Sequence, residues 1–500
     1  MIGNKNIVGL NEIALELDQI LSVLGQGYVK SVAYDTAWVA RLSNMYQGQG
    51  FDRALPWLRR HQHLDGSWGG DILHYHDRFI CTLASIITLH TIGTTTQDAE
   101  RARGGVEFLW REHLRLRQDA HETIGFSVLA VSLIEEARLL GLDVPRNPYS
   151  DAAVITKKLS ILEKSPHLWR NSTMSFSLEA IRACFPHHPD FLEANGSVGT
   201  SPAATASLLL RSEGVSEDAL HYLGATILDD GGVPNVSPID TFEIAWGLNY
   251  LRHAGAISPD EPPVRRALDV LWTAWSQKDG MGFSSYYSVT DLDDTAVGYA
   301  VLRWGGYPVS ADIFAQFEEA DHFRCFPHEI DPSISATLRL VDALKMDPTH
   351  PQYEAWMDKA LRMLRRSSDE GKMWFDKWHS SPFYPLCISV HALRGIADDI
   401  VLAQVRWSLS SQHPDGGWGY YGYSTPEETA YALLALLYWD ELGERVDPSR
   451  IHAGAAYLTA NFGGELTPLW LGKCLYTPLY VVRSLIVAAL HQYQLWCNDL

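Results

Sequence analysis

Hydrophobic residues along most of the chain recur at helical spacing. The first apolar face, in the segment LNEIALELDQILSVL, carries Leu10, Ile13, Leu17, Ile20, Leu21 and Leu24. Further segments of roughly 12 to 18 residues keep the same period, and turns rich in glycine and proline separate them. Alternating strand patterns are few. The pattern predicts an all-α protein that begins with a helix within residues 1–25.

Two turns of the chain repeat one pattern closely. QHLDGSWGG from Gln62 and QHPDGGWGY from Gln412 both read Gln-x-x-Asp-Gly-x-Trp-Gly, and weaker copies begin at Glu193 and Ser276. Helices that open on Thr-Ala also recur, as YDTAWVARL, AATASLLL, DDTAVGYAVL and EETAYALLAL. Such repeats predict helical hairpins in a stack or a ring. The glutamine and tryptophan are expected to join neighbouring helix ends.

One of these helix starts differs from its copies. In SVTDLDDTAVGYAVLRWGGY, Asp291, Asp293 and Asp294 fall within four positions. The equivalent start at Thr205 follows two alanines, and the one at Thr429 follows two glutamates. Acids before a helix ordinarily cap it and favour its dipole. Capping accounts for one or two of the three aspartates, so the cluster predicts a chemical role.

Composition narrows the possible classes of protein. A formal net charge of -20 argues against a nucleic-acid partner. No targeting signal and no apolar run long enough to span a membrane are recognisable. Six cysteines without a CxxC pair predict free thiols in a cytoplasmic protein and no zinc site. The 17 tryptophans are an unusually high number, and aromatic faces lining a cavity would attract cations.

Three kinds of chemistry compete for the acid cluster. A calcium loop counted from Asp291 would need glycine and glutamate where Ala296 and Leu302 stand, and is rejected. A phosphatase motif Asp-x-Asp-x-Thr is literally present in DLDDT, although FSSYYSVT is a poor candidate for the buried strand that should precede it. The third possibility is a Brønsted acid. Crowded carboxylates cannot all ionise cheaply, so at least one proton is retained at neutral pH, ready for a base as weak as an alkene.

Ordered segments around the cluster are similar to those of a known family. DLDDTA resembles the DxDD motif of class II diterpene cyclases, the copalyl diphosphate synthase family. SVAYDTAWVA, DGSWGG, HDRFICTLASIITL, IGFSVLAVSLIEEARLLGLDVP, SFSLEAI, GGVPNVSPIDTFEIAWGL and DKWHSSPFYP also resemble family segments, in family order. The resemblance implies two α-helical double-barrel domains of the (α/α)6 type, called β and γ. We expect the γ domain at 26–240 and the β domain at 241–500.

The resemblance also implies the reaction and its acid. Family members cyclise geranylgeranyl diphosphate and retain the diphosphate; the DDxxD motif that ionises diphosphates is absent here, since the stretches at Asp229 and Asp398 lack its final acid. Asp293 corresponds to the proton donor, and Asp291 and Asp294 would orient and tune it.

Further roles are implied for substrate and metal binding. Lys158 and Lys377 match lysines that hold the diphosphate at the far end of the cavity, and Trp246 is a candidate for the cavity wall. The acidic motif associated with Mg²⁺ is represented only by Asp119 and Glu122, so we expect Mg²⁺ to arrive mainly with the substrate. The stretch HYHDRF (His74, His76, Asp77) resembles a structural segment rather than a metal site.

Two positions bear on how the reaction ends. Plant copalyl diphosphate synthases use a histidine and an asparagine to hold the water that removes the last proton. Asn235 is retained here, but Phe176 replaces the histidine. A phenyl ring holds no base water and can stabilise a cation. We therefore expect a rearranged clerodane-type (kolavenyl) diphosphate, with copalyl or halimadienyl diphosphate as alternatives, passed on to a separate class I synthase or phosphatase. A non-enzymatic helical binding module is the remaining alternative.

Overall fold

Helices make up most of the secondary structure in the described part of the chain. The structure, a computed structural model, describes residues 10–146, 155, 157, 160, 172–181, 191–212, 214, 216–327, 329, 332–368, 373–441 and 446–499. Within these residues, strands are confined to two short antiparallel pairs, so the prediction of an all-α protein is confirmed. No helix in the same residues combines the length and apolar character needed to cross a bilayer.

The helices are numbered here in chain order. The α-helices of the described residues are α1 Leu10–Val23, α2 Ala33–Ala40, α3 Ala54–Arg60, α4 Tyr75–Ile92, α5 Thr96–Glu112, α6 Phe126–Leu139, α7 Pro202–Arg211, α8 Glu217–Thr226, α9 Asp240–His253, α10 Pro262–Ala274, α11 Leu292–Trp304, α12 Ile334–Leu344, α13 Tyr353–Ser367, α14 Phe383–Leu393, α15 Asp398–Ser411, α16 Pro426–Asp440, α17 Pro448–Ala460 and α18 Leu479–Asp499. The 3₁₀ helices are Phe51–Arg53, His113–Gln118, Thr173–Ala180 and Ala311–Phe317. The strand pairs are β1 Ser31–Val32 with β2 Val233–Pro234, and β3 Trp470–Leu471 with β4 Leu475–Tyr476.

The C-terminal half of the chain closes into two concentric rings of helices. Neighbours in the inner ring are, in order, α9, α11, α12, α14, α16 and α18, and α18 returns to α9. The outer ring consists of α1, α10, Ala311–Phe317, α13, α15 and α17. Helix α1 contacts both α18 and α10, so the N-terminal helix belongs to the barrel formed by the other end of the chain. Inner helices are enclosed on all sides: every residue from Leu292 to Leu302 is buried, the acids Asp293 and Asp294 included.

A second, smaller ring is formed by the N-terminal half. Helices α2, α4 and α6, the 3₁₀ helix Thr173–Ala180 and α7 contact one another in that order, and α7 returns to α2. Helices α3, α5 and α8 pack against it from outside. Its core runs from Val32 to Val233 and includes Cys474, whereas the larger core runs from Val236 to Trp496 and includes Ile13 of α1. The smaller core thus draws mainly on residues before Pro234 and the larger one on residues after it; the domain bounds at 26–240 and 241–500 stay a prediction.

The repeated turns tie helix ends together by hydrogen bonds. Gln62 Nε2 donates to the carbonyls of Gly66 and Arg101, both at 2.9 Å, and Trp68 Nε1 donates to Leu58 O at 2.8 Å. In the second copy, Gln412 and Trp418 make the equivalent bonds to the carbonyls of Gly416, Arg450 and Ser408. The predicted role of the glutamine and tryptophan is confirmed.

The β3–β4 hairpin joins the two barrels. It leaves the larger barrel between α17 and α18 and reaches α4 of the smaller one, where Leu475 N donates to Asp77 Oδ1 at 2.8 Å. Next to it, Ile124 N donates to Gly472 O at 2.7 Å. The hairpin therefore forms part of the boundary at which the N-terminus of α11 and the smaller barrel meet.

Candidate active site

The three clustered aspartates begin the inner helix α11. Asp291 is its N-cap residue, and Asp291 Oδ1 accepts the backbone N–H of Asp294 at 2.8 Å. Asp293 and Asp294 lie in the first helical turn. All three are buried, with exposed fractions of 2%, 7% and 5% in chain order. Capping thus explains Asp291, and the burial of the other two acids requires a different reason.

Burial keeps protons on this cluster. It raises the pKa of Asp293 to about 8, and the charges of Asp291 and Asp376 add to the effect, while Arg339 and Lys377 oppose it. Burial also raises the pKa of Asp291 to about 6, against the hydrogen bonds it accepts from Asp294. The pKa of Asp294 lies well above its usual range because of burial and then the charge of Asp291. The raised pKa favours the protonated form of Asp293 at neutral pH.

Oxygen atoms of the cluster remain available to a reactant. Asp293 Oδ1 and Asp294 Oδ1 are buried and have no hydrogen-bond partner among the described residues. Buried polar atoms in proteins are normally satisfied, and exceptions often mark functional sites. Asp293 lines the cavity described next, so its carboxyl group is open towards that space.

A cavity of about 490 Å³ lies between the acid cluster and the smaller barrel. Its aromatic lining consists of Phe176, Phe242, Trp246, Phe283, Tyr287, Phe326, Trp378, Trp470 and Tyr476. The ring centroids of Phe242 and Trp246 are 4.4 Å apart, and those of Phe242 and Trp470 are 5.3 Å apart. The expectation that Trp246 forms part of the wall agrees with this position. Such a lining excludes water and offers π-faces to a cation.

The smaller barrel and the hairpin supply the wall around Phe176 and Asn235. Both predicted residues line the cavity, together with Ile124, Met174 and Gly472. Asn235 is buried, and its Nδ2 has no hydrogen-bond partner among the described residues. Gly472 permits its close approach, since a Cβ atom there would collide with the Asn235 amide. The wall formed by the smaller barrel thus combines a hydrogen-bond donor, the Asn235 amide, with the apolar ring of Phe176.

Lys473 lies behind Phe176 and escaped the sequence-based prediction. Its ammonium nitrogen is 2.6 Å from Glu179 Oε1, 2.5 Å from Ser201 Oγ and 4.7 Å from the centroid of the Phe176 ring. Both charges of the Lys473–Glu179 pair are fully buried. The signal in the sequence is Lys473 itself, the single charged residue in the apolar stretch LTPLWLGKCLYTPLYVV.

Of the two lysines expected to bind the diphosphate, only one lies within the described residues. Lys158 lies outside the described residues. Lys377 lines the cavity, but beside the acid cluster, because its charge acts on Asp293 and its Nζ is 2.5 Å from Glu329 Oε1. The sequence predicts Lys377 at the far end of the cavity from the acids. The structure places it on the side of the acids instead.

The predicted magnesium ligands do not form one site. Asp119 Oδ2 accepts the backbone N–H of His76 at 2.8 Å and is 2.7 Å from His76 Nδ1, whereas Glu122 is exposed. Mg²⁺ prefers an octahedral set of oxygen ligands. Asp119 Oδ2 is already engaged by a backbone N–H and an imidazole, which does not fit that preference. Mg²⁺ remains an expectation for the ion that accompanies a diphosphate.

The HYHDRF segment makes hydrogen bonds to three neighbouring parts of the chain. Asp77 Oδ2 accepts Gly70 N at 2.7 Å, and Asp77 Oδ1 accepts the N–H of Leu475 in the hairpin. His74 Nδ1 accepts the N–H of Asp77 and lies 3.3 Å from the Asp119 carboxylate. These ring and carboxylate atoms are therefore engaged in holding the hairpin and the loop before α6 against α4.

The phosphatase interpretation does not agree with the fold. That motif belongs at the end of a strand in an α/β sheet, whereas Asp291 follows a loop and opens an inner helix of a helical barrel. No strand of the described residues precedes it directly.

Comparisons with known proteins relate the chain to terpene cyclases. A family model described as the squalene-hopene cyclase C-terminal domain matches residues 323–467. The type B diterpene cyclase of Mycobacterium tuberculosis is 32% identical over 494 residues, which cover 94% of this chain and 96% of that protein. A chloroplastic (-)-kolavenyl diphosphate synthase of Tripterygium wilfordii is 31% identical over 382 residues, or 74% of this chain and 46% of that protein. The chain spans about half the length of this plant relative.

A solved structure shares the whole architecture. The ent-copalyl diphosphate synthase of Streptomyces platensis superimposes with a TM-score of 0.81 at 26% identity, and the match covers 97% of this chain and 99% of that one.

Proposed function

Because the chain belongs to the class II diterpene cyclases, we propose that it cyclises geranylgeranyl diphosphate to a bicyclic diphosphate of the rearranged, clerodane (kolavenyl) type. The observation that carries the reaction is the buried Asp293, whose Oδ1 has no partner among the described residues and which lines an aromatic cavity. The observation that carries the product is Phe176 in the wall of that cavity.

The first step is a proton transfer from Asp293 to the terminal alkene. The O–H bond of the carboxyl group breaks, a C–H bond forms from the alkene π electrons, and a tertiary carbocation results. Neighbouring alkenes then close two rings, each using its π electrons to form a C–C bond. Asp293 is suited to this step because burial and the charge of Asp291 keep it protonated at neutral pH.

The cavity wall protects and directs the cation. Trp246, Phe242 and Trp470 form a continuous group of rings beside the acid cluster. Their faces stabilise positive charge without adding a nucleophile, and the apolar lining excludes water that would otherwise quench it. The diphosphate is retained because the sequence has no DDxxD motif to bind the metal ions that ionise it.

Phe176 favours rearrangement before the last proton is lost. The labdanyl cation formed by cyclisation gives a copalyl product if a nearby base removes a proton at once. Phe176 supplies a π-face but no base at the position where plant copalyl diphosphate synthases have histidine. Hydride and methyl shifts then compete with deprotonation and lead to the clerodane skeleton. A kolavenyl diphosphate synthase among the relatives supports this choice.

The product spectrum tests the proposal. The enzyme is incubated with geranylgeranyl diphosphate and Mg²⁺, and the products are identified by mass spectrometry and NMR before and after phosphatase treatment. We expect kolavenol only after dephosphorylation. Copalol or a halimadienol as the sole product would refute the clerodane assignment, geranylgeraniol without phosphatase would indicate phosphatase activity, and unchanged substrate would indicate a binding module.

Substitution of the ring tests the reason for the product. Phe176→His should shift products towards unrearranged labdane skeletons, because an imidazole can hold a base water beside Asn235. Phe283→Leu removes another ring of the wall and serves as the control, for which we expect slower turnover with the same skeleton. If both variants give the wild-type skeleton, Phe176 does not determine the product.

A further inference from the structure

Arg339 is a buried cation on α12, the inner helix that packs against α11. It is only 6% exposed, and no carboxylate among the described residues forms an ion pair with it. Its guanidinium carbon lies 5.4 Å from the ring centroid of Trp246, 5.7 Å from that of Tyr250 and 6.0 Å from that of Tyr384. A hydrogen bond to the hydroxyl of Tyr250 is long, at 3.4 Å, and Arg339 Nε has no partner in the described part of the chain.

Burying the charge of Arg339 without an ion-pair partner among the described residues destabilises the folded protein, so a functional reason for the charge is expected. A buried ion normally needs a partner of opposite charge, since its desolvation is unfavourable. Cation–π contacts with three rings offset part of that cost. They do not supply a negative charge. Arg339 does act on one acid, Asp293. Burial raises the pKa of Asp293, and the positive charge of Arg339 is the strongest influence that lowers it again.

We propose that Arg339 acts through Asp293, as a counter-charge that stays unpaired until Asp293 gives up its proton. This inference deepens the proposed function, since it assumes that Asp293 is the acid. Before the reaction, the pair consists of a neutral carboxyl group and a guanidinium. After proton transfer it consists of a carboxylate and a guanidinium, whose attraction is strong in a buried site. Arg339 therefore stabilises the state that forms when the alkene takes the proton.

The other charged groups near Asp293 already have partners of their own. Lys377 is paired with Glu329 at 2.5 Å. Asp376 accepts the N–H groups of Ser335 and Trp378 at 2.9 and 3.0 Å. The remaining titratable groups that act on Asp293 or Arg339 are Arg252 and Tyr250 on α9, Asp294 on α11 and its N-cap Asp291, Cys325, and Tyr384 and Cys387 on α14. Arg252 is the cation of this set; its charge acts on Arg339, and it is paired with Asp342 at 3.5 Å. When Arg339 is removed, Lys377 still opposes the raised pKa of Asp293.

The pH dependence of turnover distinguishes this role from a structural one. We measure kcat/KM for geranylgeranyl diphosphate from about pH 6 to pH 10 in wild type, Arg339→Gln and Arg339→Lys. Loss of the cation should weaken the acid, so Arg339→Gln should turn over at least about tenfold more slowly at pH 7. The same change should move the alkaline limb upward by about one pH unit or more, because Asp293 then holds its proton to higher pH. Arg339→Lys keeps the charge and should keep the limb within about half a pH unit of wild type.

A matched control separates the effect from a general loss of packing. Arg41 is also buried and lies 4.1 Å from the ring centroid of Trp38, but it is paired with Glu136 and belongs to the smaller barrel. Arg41→Gln should lower stability and leave the alkaline limb in place. An alkaline limb that stays at the wild-type pH in Arg339→Gln would overturn the proposal, even if turnover were slower.

A second variant and a second measurement test the proposal if Arg339→Gln folds poorly or turns over too slowly for a pH profile. Arg339→Met fills the space between the rings with an apolar side chain, and it should fold as well as wild type at pH 6, where Asp293 is protonated and the cation has no partner. The Arg339 variants and wild type are labelled with ¹³C-aspartate and studied by NMR. The carboxyl signal of Asp293 is assigned by its absence in Asp293→Asn. This signal should titrate at higher pH in the Arg339 variants than in wild type. Failure of both Arg339→Gln and Arg339→Met to fold at pH 6 would refute the proposal. Normal turnover by Asp293→Asn would instead refute the proposed function, while the NMR titration would still report on Arg339.

Discussion

Asp291 Oδ1 accepts the backbone N–H of Asp294 at 2.8 Å, and this hydrogen bond separates the roles of the acids. Asp291 is thereby the N-cap of α11, so capping of the first turn does not require the carboxyl group of Asp293. Asp293 Oδ1 consequently remains without a partner among the described residues, and Asp293 lines the cavity. One acid orients the helix, and its neighbour can give its proton to a substrate.

Replacing Asp293 with asparagine should abolish cyclisation. The amide has nearly the same shape but no acidic proton, so turnover should fall by about 10⁴-fold or more. Product formation is measured with geranylgeranyl diphosphate, and folding by circular dichroism and thermal unfolding. Asp279→Asn, at a mostly exposed position in the turn before α11, is the control and should keep wild-type turnover. A folded Asp293→Asn enzyme with near-normal turnover would exclude Asp293 as the acid.

Stability should decrease as pH rises, and Asp293 should contribute to the decrease. Its pKa is raised from 3.8 to about 8 in the folded protein, so the folded state keeps a proton that the unfolded chain releases above about pH 4. The folded state is therefore disfavoured progressively between about pH 4 and pH 8. Over that range, the free energy of unfolding of wild type should fall relative to that of Asp293→Asn by more than about 1 kcal/mol.

Urea unfolding of both proteins at several pH values measures this difference. Other buried acids, such as Asp35 with a pKa raised to about 8 by burial, affect both proteins equally and cancel in the comparison. A difference between the two proteins that does not vary with pH would contradict the raised pKa of Asp293.

Breaking the buried pair behind Phe176 should be strongly destabilising. Lys473→Met leaves Glu179 buried without its 2.6 Å partner, and we expect a loss of about 3 to 5 kcal/mol in the free energy of unfolding. The double variant Lys473→Met/Glu179→Gln removes both charges and should recover a large part of that loss. Urea unfolding at pH 7 measures both. Equal stability of the single and double variants would show that Lys473 and Glu179 do not interact energetically.

Glu243 should hold the end of the N-terminal helix region on the larger barrel. Its carboxylate accepts three backbone N–H groups, those of Gly25, Gly27 and Tyr28, at 2.8 to 3.0 Å. Glu243→Gln presents an NH₂ group to at least one of these donors, so we expect a loss of about 1 to 3 kcal/mol in unfolding free energy. Hydrogen exchange should show faster exchange in α1. A Gln variant as stable as wild type, with unchanged exchange in α1, would refute this role.

Local patterns in the sequence determined the helical fold and singled out the cluster of acids. Helical periodicity and the repeated Gln-x-x-Asp-Gly-x-Trp-Gly turns depend on residues close in the chain, and the structure places their hydrogen bonds as expected. The cluster at Asp291, Asp293 and Asp294 was recognisable because its copies elsewhere in the chain lack it. Its crowding already implied a retained proton, since like charges at short range cannot all ionise.

Only the tertiary structure decided which distant residues surround that acid. Lys473 and Glu179, 294 residues apart, meet behind Phe176, and Asp119 is bound by His76 instead of facing Glu122. Lys377, 84 residues from Asp293 in the chain, lines the same cavity and is paired with Glu329 there. Arg339 occupies an apolar helix with no motif of its own, and its relation to Asp293 arises from the neighbouring positions of α11 and α12 in the inner ring. The pKa of a buried acid depends on charges within a few ångströms, and barrel closure determines which charges those are.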